Sequence, residues 1–512
     1  MHFLFYCFVF VIGSDAARIL AVFPTPSYSH QTVFKVYVQA LAQRGHDVVV
    51  IKPKTMVDFA SVHARYNVTE IDVSVKSLDD LKKQSNVFRK RGVVADSTTV
   101  TASNYMGLVR MLQKQFNLPT VKNFINFYKR NGIKFDLLIC EAFIDYSLIF
   151  SHIFGNLPIV QISSGYGLAE NFETMGAVSR HPIFYPNMWR DKFRDLTVLE
   201  TINEISTEIQ LQREFTKLED DQNTLLRLQF GNDAPTIKEL RNRVQLLFVN
   251  VHAIFDNNRP VPSSVQYLGA IHLDTLTSNK SLDDFIKQYL DDAQEGVIYV
   301  SFGSSIETKD MDLEFQTMLI EAFGNVTYKI LWKFDANNER VNKILPDNVL
   351  IQQWFNQKEV LKHRNVKAFV TQGGVQSTDE AVDALVPLIG LPMMGDQFYN
   401  TNKYIDLGIG VSLNTATVDS QELTMAINEV VRNNSYRKNL KDLRHIINCQ
   451  PMTPLKKAIY YTEQVIKMKH YNSLKTRAAN VNYNEYFMTN VLLEFFMYVA
   501  SMLLKYVGNF FI

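Results

Sequence analysis

The sequence predicts an α/β protein with two doubly wound, Rossmann-like domains that face each other across a cleft. Three observations support this fold class. Apolar segments of strand length alternate with segments of helical periodicity in the first half of the 512-residue chain, and the same alternation returns in the second half. Between the halves, the stretch 257–264 is rich in asparagine, proline and serine, which interrupt helices and strands.

The first half opens with a strand, a helix and another strand. Residues 18–23 are almost all apolar, as expected for a parallel strand that is covered on both faces. Apolar residues then recur at helical spacing from Val33 to Leu41, and Gly45 ends this helix. The segment Asp47–Lys52 predicts the second strand. A further strand–helix–strand unit is predicted over 136–140, 146–154 and 158–162.

The second half repeats this rhythm after a polar, helix-rich region over 178–243 and a strand at 245–250. Its strands are predicted at Val297–Ser301, 328–334, Val349–Gln352, Val366–Thr371 and 387–391. The domain division that we predict is an N-terminal domain over 18–256, a linker over 257–264, a C-terminal domain over 265–450, and helices over 451–512 that pack back on the N-terminal domain. In such sheets, ligands bind beyond the carboxyl ends of the strands.

Charge and cysteine content exclude several classes of protein. Lys and Arg total 53 against 52 Asp and Glu, so a net charge of +1 does not attract nucleic acid. Three cysteines, Cys7, Cys140 and Cys449, cannot build a disulfide scaffold, and no Cys/His cluster has zinc spacing. We therefore expect neither a nucleic-acid partner, nor a disulfide scaffold, nor a zinc site.

The two ends of the chain carry targeting signals. An apolar run followed by small residues predicts a signal peptide over 1–17, and hence a secreted protein. A buried first strand is the weaker alternative, because 18–23 already supplies one. The apolar stretch 491–504 is short for a spanning helix. It predicts a helix that docks on the protein or contacts a membrane surface, and a tail anchor is the less favoured alternative.

Two glycine-containing turns follow predicted strands. In the first, Ser301-Phe-Gly-Ser-Ser, the hydroxyls of Ser304 and Ser305 suit a phosphate oxygen, although a plain turn explains the sequence equally well. The second, Thr371-Gln-Gly-Gly-Val-Gln-Ser-Thr-Asp-Glu, begins a helix whose backbone N–H groups can face an anion. No lysine follows the glycines, so this is not a P-loop. Alone, it indicates a phosphate site or an ordinary helix start.

The spacing of neighbouring motifs favours the phosphate site. Trp354-Phe-Asn-Gln precedes the glycine-rich turn, and Gly395-Asp-Gln follows the next strand. Together these motifs closely resemble the donor-binding signature of the inverting UDP-sugar glycosyltransferases, which include the UDP-glucuronosyltransferases. The resemblance implies the GT-B fold of two facing domains, with the acceptor in the N-terminal domain and the UDP-sugar in the C-terminal one.

Other segments narrow the resemblance within this family. The stretches 19–30, 167–182 and 392–398 resemble the ecdysteroid UDP-glucosyltransferases carried by baculoviruses. Membership of that group implies transfer of glucose from UDP-glucose to a hydroxyl of an ecdysteroid, the insect moulting hormone, by an enzyme secreted from the infected cell. UDP-glucose is then the co-substrate, and no separate cofactor or metal is implied.

The resemblance also implies catalytic roles. His30 occupies the position of the family's catalytic base, which takes the proton of the acceptor hydroxyl. Without the resemblance, a polar residue at a helix start would explain it. Glu141 stands where the wider family has an aspartate that orients this histidine. Asp145 is the alternative partner, although a helix cap explains it as well.

Donor contacts are implied in the same way. Trp354 would stack on uracil, Gln357 would contact the uridine, and Glu380 would accept from the ribose hydroxyls. Asp396 and Gln397 would bind the sugar. The family commonly has histidine where Gln372 stands, and glutamine cannot carry its charge. Phosphate binding is therefore expected to depend on the residues of the two turns, which are Ser304, Gln372, Gly374, Gln376 and Ser377.

Two other functions agree with the same residues. A detoxifying UDP-glycosyltransferase with varied lipophilic acceptors would share the donor motifs. A steroid-binding or sugar-nucleotide-binding protein with weak catalysis is the alternative outside enzymes, and His30 argues against it.

Overall fold

The computed structural model describes residues 16–54, 57, 59, 67–75, 102–188, 190, 192–274, 281–304, 311–334, 341, 343–468 and 474–508. Most of the predicted signal peptide, Cys7 and Ser305 therefore lie outside the described residues. Two parallel sheets with helices on both faces form the molecule, which confirms the predicted α/β fold class.

The N-terminal sheet has seven parallel strands in the order β3-β2-β1-β4-β5-β6-β7. Their bounds are Arg18–Val22 (β1), Asp47–Lys52 (β2), Val68–Asp72 (β3), Leu137–Glu141 (β4), Ile159–Ser163 (β5), Val244–Val249 (β6) and Val265–Tyr267 (β7). Alternate residues of β1 supply two different cores: Leu20 and Val22 pack on one face, and Ile19 and Ala21 pack on the other. Both faces of β1 are therefore buried and must be apolar, as its sequence predicts.

Helices cover both faces of this sheet. They are α1 (Tyr28–Gln43), α2 (Ala102–Phe116), α3 (Pro119–Arg130), a 3-10 turn (Asp145–Leu148) that leads into α4 (Ile149–Ile153), α5 (Ala169–Thr174), α6 (Val198–Phe230) and α7 (Ile237–Arg241). The long helix α6 begins with a capping box, in which Thr197 and Glu200 satisfy each other's backbone N–H groups.

The C-terminal sheet has six parallel strands in the order β10-β9-β8-β11-β12-β13. They are β8 (Val297–Ser301), β9 (Lys329–Lys333), β10 (Val349–Gln352), β11 (Val366–Thr371), β12 (Leu388–Gly390) and β13 (Gly410–Ser412). The helices are α8 (Asp284–Asp291), α9 (Leu313–Gly324), α10 (Gln357–Leu361), α11 (Val375–Ala384), α12 (Gln397–Asp406), α13 (Ser420–Arg432) and α14 (Asn434–Asn448). The strand order reverses between β8 and β11, which places a binding crevice beyond these strands.

Three strands differ from the prediction. The edge strand β3 is mostly polar and partly exposed, so it has no apolar run. The strands β7 and β13 have three residues each, which is too few for a periodic pattern. Because β7 pairs with β6, the chain leaves the first sheet after Tyr267, beyond the predicted linker over 257–264.

The C-terminal segment contains two different kinds of helix. Helix α15 (Pro454–Lys467) packs on α1 and joins the core of the N-terminal sheet through residues such as Ile459. After the short α16 (Tyr483–Tyr486), helix α17 (Thr489–Gly508) has large apolar side chains that are mostly exposed. Within the described part of the chain, no helix has the length and apolar character needed to cross a membrane.

Candidate active site

The predicted site residues gather at the carboxyl ends of the two sheets. In the N-terminal domain, β1 and β4 are neighbours, so the residues that follow β1 lie near the end of β4. His30 belongs to the first turn of α1, directly after β1, and Glu141 is the last residue of β4. In the C-terminal domain, the predicted donor residues follow β8, β10, β11 and β12.

His30 and Glu141 form a hydrogen-bonded pair. Nδ1 of His30 lies 2.6 Å from Oε1 of Glu141, whose side chain is 1% exposed, whereas 24% of the His30 side chain is exposed. The other carboxylate oxygen accepts from the backbone N–H of Thr25 at 3.4 Å. An ionised carboxylate can only accept, so it selects the tautomer of a neutral His30 in which Nδ1 carries the proton. Nε2 is then free of a proton and can act as a base.

Asp145 has other partners. Its Oδ1 accepts from Nε2 of Gln161 at 3.0 Å, and its Oδ2 accepts from Nε of Arg241 at 2.7 Å. The Arg241 side chain also contacts Glu219 at 2.6 Å, so Asp145 belongs to a structural ion-pair group. Of the two carboxylates considered from the sequence, the structure therefore pairs Glu141 with His30.

A cavity of about 210 Å³ begins at His30. Its wall comes mainly from the N-terminal domain, where it includes the rings of Phe143, Tyr105 and Phe215. Asp396 contributes to the wall from the C-terminal domain, so the cavity lies where the two domains meet. A cavity with aromatic rings and a histidine on its wall suits a lipophilic molecule that carries a hydroxyl group.

Trp354 follows β10 in the C-terminal domain, and 42% of its side chain is exposed. Its ring meets the ring of Tyr28, from α1, edge to face at a centroid distance of 5.0 Å. Nζ of Lys333, at the end of β9, lies 4.4 Å from the Trp354 ring centre. The Trp354 side chain is therefore not core packing, which was the alternative explanation for it, and a flat ring has room to stack on it.

Gln357 connects three polar groups beside Trp354. Its Nε2 donates to Oγ of Ser377 at 2.9 Å and to Oε2 of Glu380 at 2.7 Å. Its Oε1 accepts from the hydroxyl of Tyr299 at 3.2 Å. Burial raises the pKa of Glu380 above its usual range. Gln357 is 23 positions from Glu380 and 58 positions from Tyr299 in the sequence, and the fold brings these side chains into one network.

The glycine-rich turn lies between β11 and α11. Gly373 has a φ of +89°, and a side chain there would meet Thr401, so glycine is required. Gly374 precedes the first residue of α11 as its N-cap. Gln372 is 6% exposed, and a side chain at Gly303 would lie 2.4 Å from its Nε2. Gly303 thus lets the turn after β8 approach Gln372, and Gly373 lets the turn after β11 approach α12.

Gln376 bridges the two domains. Its Nε2 donates to the backbone carbonyl of Ser164, in the N-terminal domain, at 2.8 Å. This amide is therefore used within the protein, although the sequence suggested a contact with the donor. Ser304, the last described residue after β8, is exposed.

Asp396 and Gln397 differ in their surroundings. Oε1 of Gln397 accepts from the backbone N–H groups of Met393 and Met394, each at 2.9 Å, and the side chain is 5% exposed. Any contact of Gln397 with a sugar would therefore use its Nε2. Oδ2 of Asp396 accepts from Nδ2 of Asn400 at 3.0 Å, and burial raises its pKa. His30 and Asp396 both line the cavity, from opposite domains.

Sequence reasoning missed Lys333 and Tyr28. Lys333 is the last residue of β9, and its Nζ donates to the carbonyl of Gly303 at 2.6 Å. Burial lowers the pKa of Lys333 to about 8. A charged residue at the carboxyl end of an apolar strand was the available signal. In the described part of the chain, no group of three or more His, Cys, Asp or Glu residues could hold a metal ion.

Comparison with known proteins agrees with this geometry. The family described as "UDP-glucoronosyl and UDP-glucosyl transferase" matches residues 18–511. The chain is 56% identical to an ecdysteroid UDP-glucosyltransferase of Mamestra brassicae nuclear polyhedrosis virus, over 97% of this chain and 94% of the relative. It is 50% identical to the protein of that name from Lymantria dispar multicapsid nuclear polyhedrosis virus, over 95% and 94% of the two chains.

Solved structures show the same fold. The crystal structure of Os79 from O. sativa, in complex with U2F and trichothecene, superposes with a TM-score of 0.59 at 16% identity. The superposition covers 87% of this chain and all of the other chain. The glycosyltransferase of kitacinnamycin gives a TM-score of 0.57 at 17% identity, over 88% and 99% of the two chains. The predicted GT-B fold is thereby confirmed.

Proposed function

Because this chain belongs to the UDP-glucoronosyl and UDP-glucosyl transferase family, we propose that it transfers glucose from UDP-glucose to a hydroxyl of an ecdysteroid. The names of its viral relatives support both the donor and the acceptor. The observation that carries the proposal is the His30–Glu141 pair, whose histidine lines a cavity that is also lined by aromatic rings and by Asp396 of the C-terminal domain.

In the proposed reaction, Nε2 of His30 takes the proton of the acceptor hydroxyl as its oxygen attacks the anomeric carbon of glucose. The new C–O bond forms on the face opposite to the departing UDP, so the configuration inverts. Glu141 stabilises the imidazolium through the 2.6 Å contact with Nδ1. A base positioned in this way contributes roughly 10²–10⁴-fold to the rate.

The departing diphosphate acquires negative charge that must be stabilised. Backbone N–H groups at the start of α11, beside Gly374, point toward the site with the positive end of the helix dipole. Ser304, Gln372 and Ser377 add neutral donors. We propose that these groups, together with the Lys333 cation, stabilise the leaving group without a metal.

The donor's other parts have separate contacts. In this proposal, uracil stacks on the exposed face of Trp354, and the network of Gln357 and Glu380 binds the ribose hydroxyls. Asp396, which shares the cavity wall with His30, accepts from the hydroxyls of glucose. These contacts would place the anomeric carbon between the two domains.

Export completes the proposal. A signal peptide over 1–17 and secretion would bring the enzyme to a circulating hormone. Attachment of glucose makes a lipophilic steroid strongly polar, which would inactivate the hormone and block moulting of the host. The same polarity change would apply to any steroid acceptor, so the acceptor itself must be tested.

The test is incubation of the mature protein with UDP-glucose and ecdysone, followed by mass spectrometry. A product heavier than ecdysone by one hexose, formed by the wild type and not by a His30→Ala variant, is expected. Equal turnover of unrelated phenols and ecdysone would favour a broad detoxifying enzyme. Binding of ecdysone without any product would indicate a binding protein.

A further inference from the structure

A buried group of charged side chains lines the same cavity as His30, and aromatic rings lie between this group and His30. Arg180 lies between Glu170, which starts α5, and Glu208, which belongs to α6. Arg180 makes a close ion pair with Glu170, and its Nη1 lies 3.5 Å from Oε2 of Glu208. The side chains of all three are about 12% exposed or less. We refer to Glu170, Arg180 and Glu208 as the distal cluster.

Tyr105 lies beside the distal cluster, and its hydroxyl makes no hydrogen bond to the described residues. Its side chain is 5% exposed and lines the same cavity. Within the part of the chain that the structure describes, its hydroxyl is fully buried and has no hydrogen-bond partner. Burial, and after it the charge of Glu170, raises the pKa of the Tyr105 hydroxyl, and the charge of Arg180 opposes this rise. A buried hydroxyl without a partner costs free energy, so its presence on a cavity wall indicates that a ligand supplies the partner.

A wall of aromatic rings connects the two ends of the cavity. The His30 ring meets Phe143 edge to face at 5.9 Å, and Phe143 lies 5.3 Å from the ring of Tyr105. The Tyr105 ring lies 5.2 Å from that of Phe215, which in turn lies under the Arg180 guanidinium at 5.3 Å. A series of aromatic rings thus lines the cavity between His30 and Arg180.

This arrangement matches one class of acceptor. A rigid, flat steroid with hydroxyl groups far apart can place its rings on the aromatic wall and a hydroxyl at each end. We propose that Tyr105 and the distal cluster bind a second hydroxyl of the acceptor, remote from the one that receives glucose. They would thereby select polyhydroxylated steroids over steroids with one hydroxyl. This inference rests on the proposed function, because His30 defines the reacting end.

The test compares Tyr105→Phe with the wild type on two acceptors, ecdysone and a steroid with a single hydroxyl. Loss of one hydrogen bond should lower kcat/KM for ecdysone by about 3- to 10-fold and leave the value for the other steroid unchanged. KM for UDP-glucose should stay the same. Because the hydroxyl has no partner among the described residues, its removal should not lower the thermal unfolding temperature. An equal change for both acceptors, or no change, would overturn the inference.

Tyr146→Phe is the matched control. Tyr146 is also fully buried in the N-terminal domain, but it lies outside the cavity wall and donates to Gln229 at 2.8 Å. Its substitution should lower the unfolding temperature and leave the ratio of the two kcat/KM values unchanged. A shift of this ratio in Tyr146→Phe as large as that in Tyr105→Phe would contradict the assignment.

Calorimetric binding of ecdysone, without UDP-glucose, separates this inference from the proposed function. Weaker binding by Tyr105→Phe, in a protein that forms no glucoside, would support the distal site and refute the proposed transfer. If the wild type formed the glucoside and Tyr105→Phe had the same ratio of kcat/KM values for the two acceptors, the distal site alone would be refuted. No binding and no transfer by the wild type would refute both.

Discussion

Nδ1 of His30 lies 2.6 Å from Oε1 of Glu141, although 111 residues separate them in the chain. The parallel pairing of β1 with β4 brings the two residues together, because Glu141 ends β4 and His30 lies in the helix that follows β1. Glutamate is one methylene longer than the aspartate found at this position in the wider family. The contact shows that the longer side chain still reaches the histidine, with its second oxygen held by the backbone of Thr25.

Replacement of His30 by alanine should lower kcat by roughly 10²–10⁴-fold, because the acceptor hydroxyl loses its base. The predicted donor residues lie in the other domain, so the Kd for UDP should stay close to the wild-type value. Steady-state kinetics and calorimetric titration with UDP check the two parts. Turnover at a near wild-type rate would reduce His30 to a helix-start residue.

Glu141→Gln should lower kcat while KM for UDP-glucose changes little. A glutamine can donate to His30 as well as accept, so it no longer fixes the proton on Nδ1, and it does not stabilise the imidazolium. We expect a loss of roughly 10- to 10⁴-fold, where the upper value is the cost of a wrong tautomer in a comparable triad. Kinetics with both substrates varied measure it.

Asp145→Asn is the matched carboxylate control. Asp145 pairs with Arg241 at 2.7 Å, away from His30, so this variant should lower the unfolding temperature and leave kcat within about twofold. If Asp145→Asn slowed the reaction and Glu141→Gln did not, the pairing inferred from the structure would be wrong.

Much of the fold follows from local patterns in the sequence. The strands Asp47–Lys52, Val297–Ser301, Val349–Gln352 and Val366–Thr371 have the predicted bounds. Val349–Gln352 is a partly exposed edge strand that begins with an apolar run, and the other three are interior strands whose residues are mostly buried and apolar. By contrast, the edge strand Val68–Asp72 pairs on one side only and tolerates polar residues. Its existence depends on its neighbour and not on its own pattern.

The site divides in a similar way. Motif spacing predicted Trp354 and Gln357 as donor contacts, since the resemblance assigns residues one by one. Lys333 belongs to no motif, and its closeness to Trp354 depends on how β9 and β10 pair. Gln376 belongs to a motif, but the sequence could not predict its hydrogen bond to Ser164, because this bond depends on how the two domains approach each other.

Trp354→Ala should weaken UDP binding. Stacking of a base on an aromatic ring contributes roughly 1–3 kcal/mol, which corresponds to about 5- to 150-fold in Kd. Trp332→Phe is the control, because Trp332 is fully buried in the core of the C-terminal domain. It should lower stability without a change in UDP affinity. Similar UDP affinities for the two variants, measured by calorimetry, would argue against stacking on Trp354.

The predicted signal peptide and the apolar helix α17 would direct the enzyme to different places, the medium and the membrane. If residues 1–17 are cleaved and α17 is no anchor, most activity should appear in the culture medium of expressing cells. A variant truncated before Thr489 should be secreted equally well, because the exposed apolar face of α17 is then dispensable for export. Full-length enzyme retained in carbonate-washed membranes, and released by the truncation, would instead identify α17 as an anchor.

Lys333 predicts the pH dependence of donor binding. Burial lowers its pKa from 10.5 to about 8, so the cation beside Trp354 and Gly303 is lost as the pH rises through 8. The Kd for UDP should therefore increase above pH 8 in the wild type. Lys333→Met should bind UDP weakly with little change across this pH range, and Lys333→Arg, which keeps its charge, should bind well on both sides of pH 8.

The deprotonation of Lys333 should change stability in the direction opposite to its effect on UDP affinity. Between pH 8 and 10.5 the unfolded chain keeps a proton on Lys333 that the folded protein has lost, so the contribution of this residue to the free energy of unfolding rises with pH. Donor affinity thus falls in the window where this contribution to stability rises. If UDP affinity and the free energy of unfolding both fell in this pH range in the wild type, general unfolding would explain the loss of affinity. If Lys333→Met lost UDP affinity above pH 8 as the wild type does, a group other than Lys333 would control the affinity.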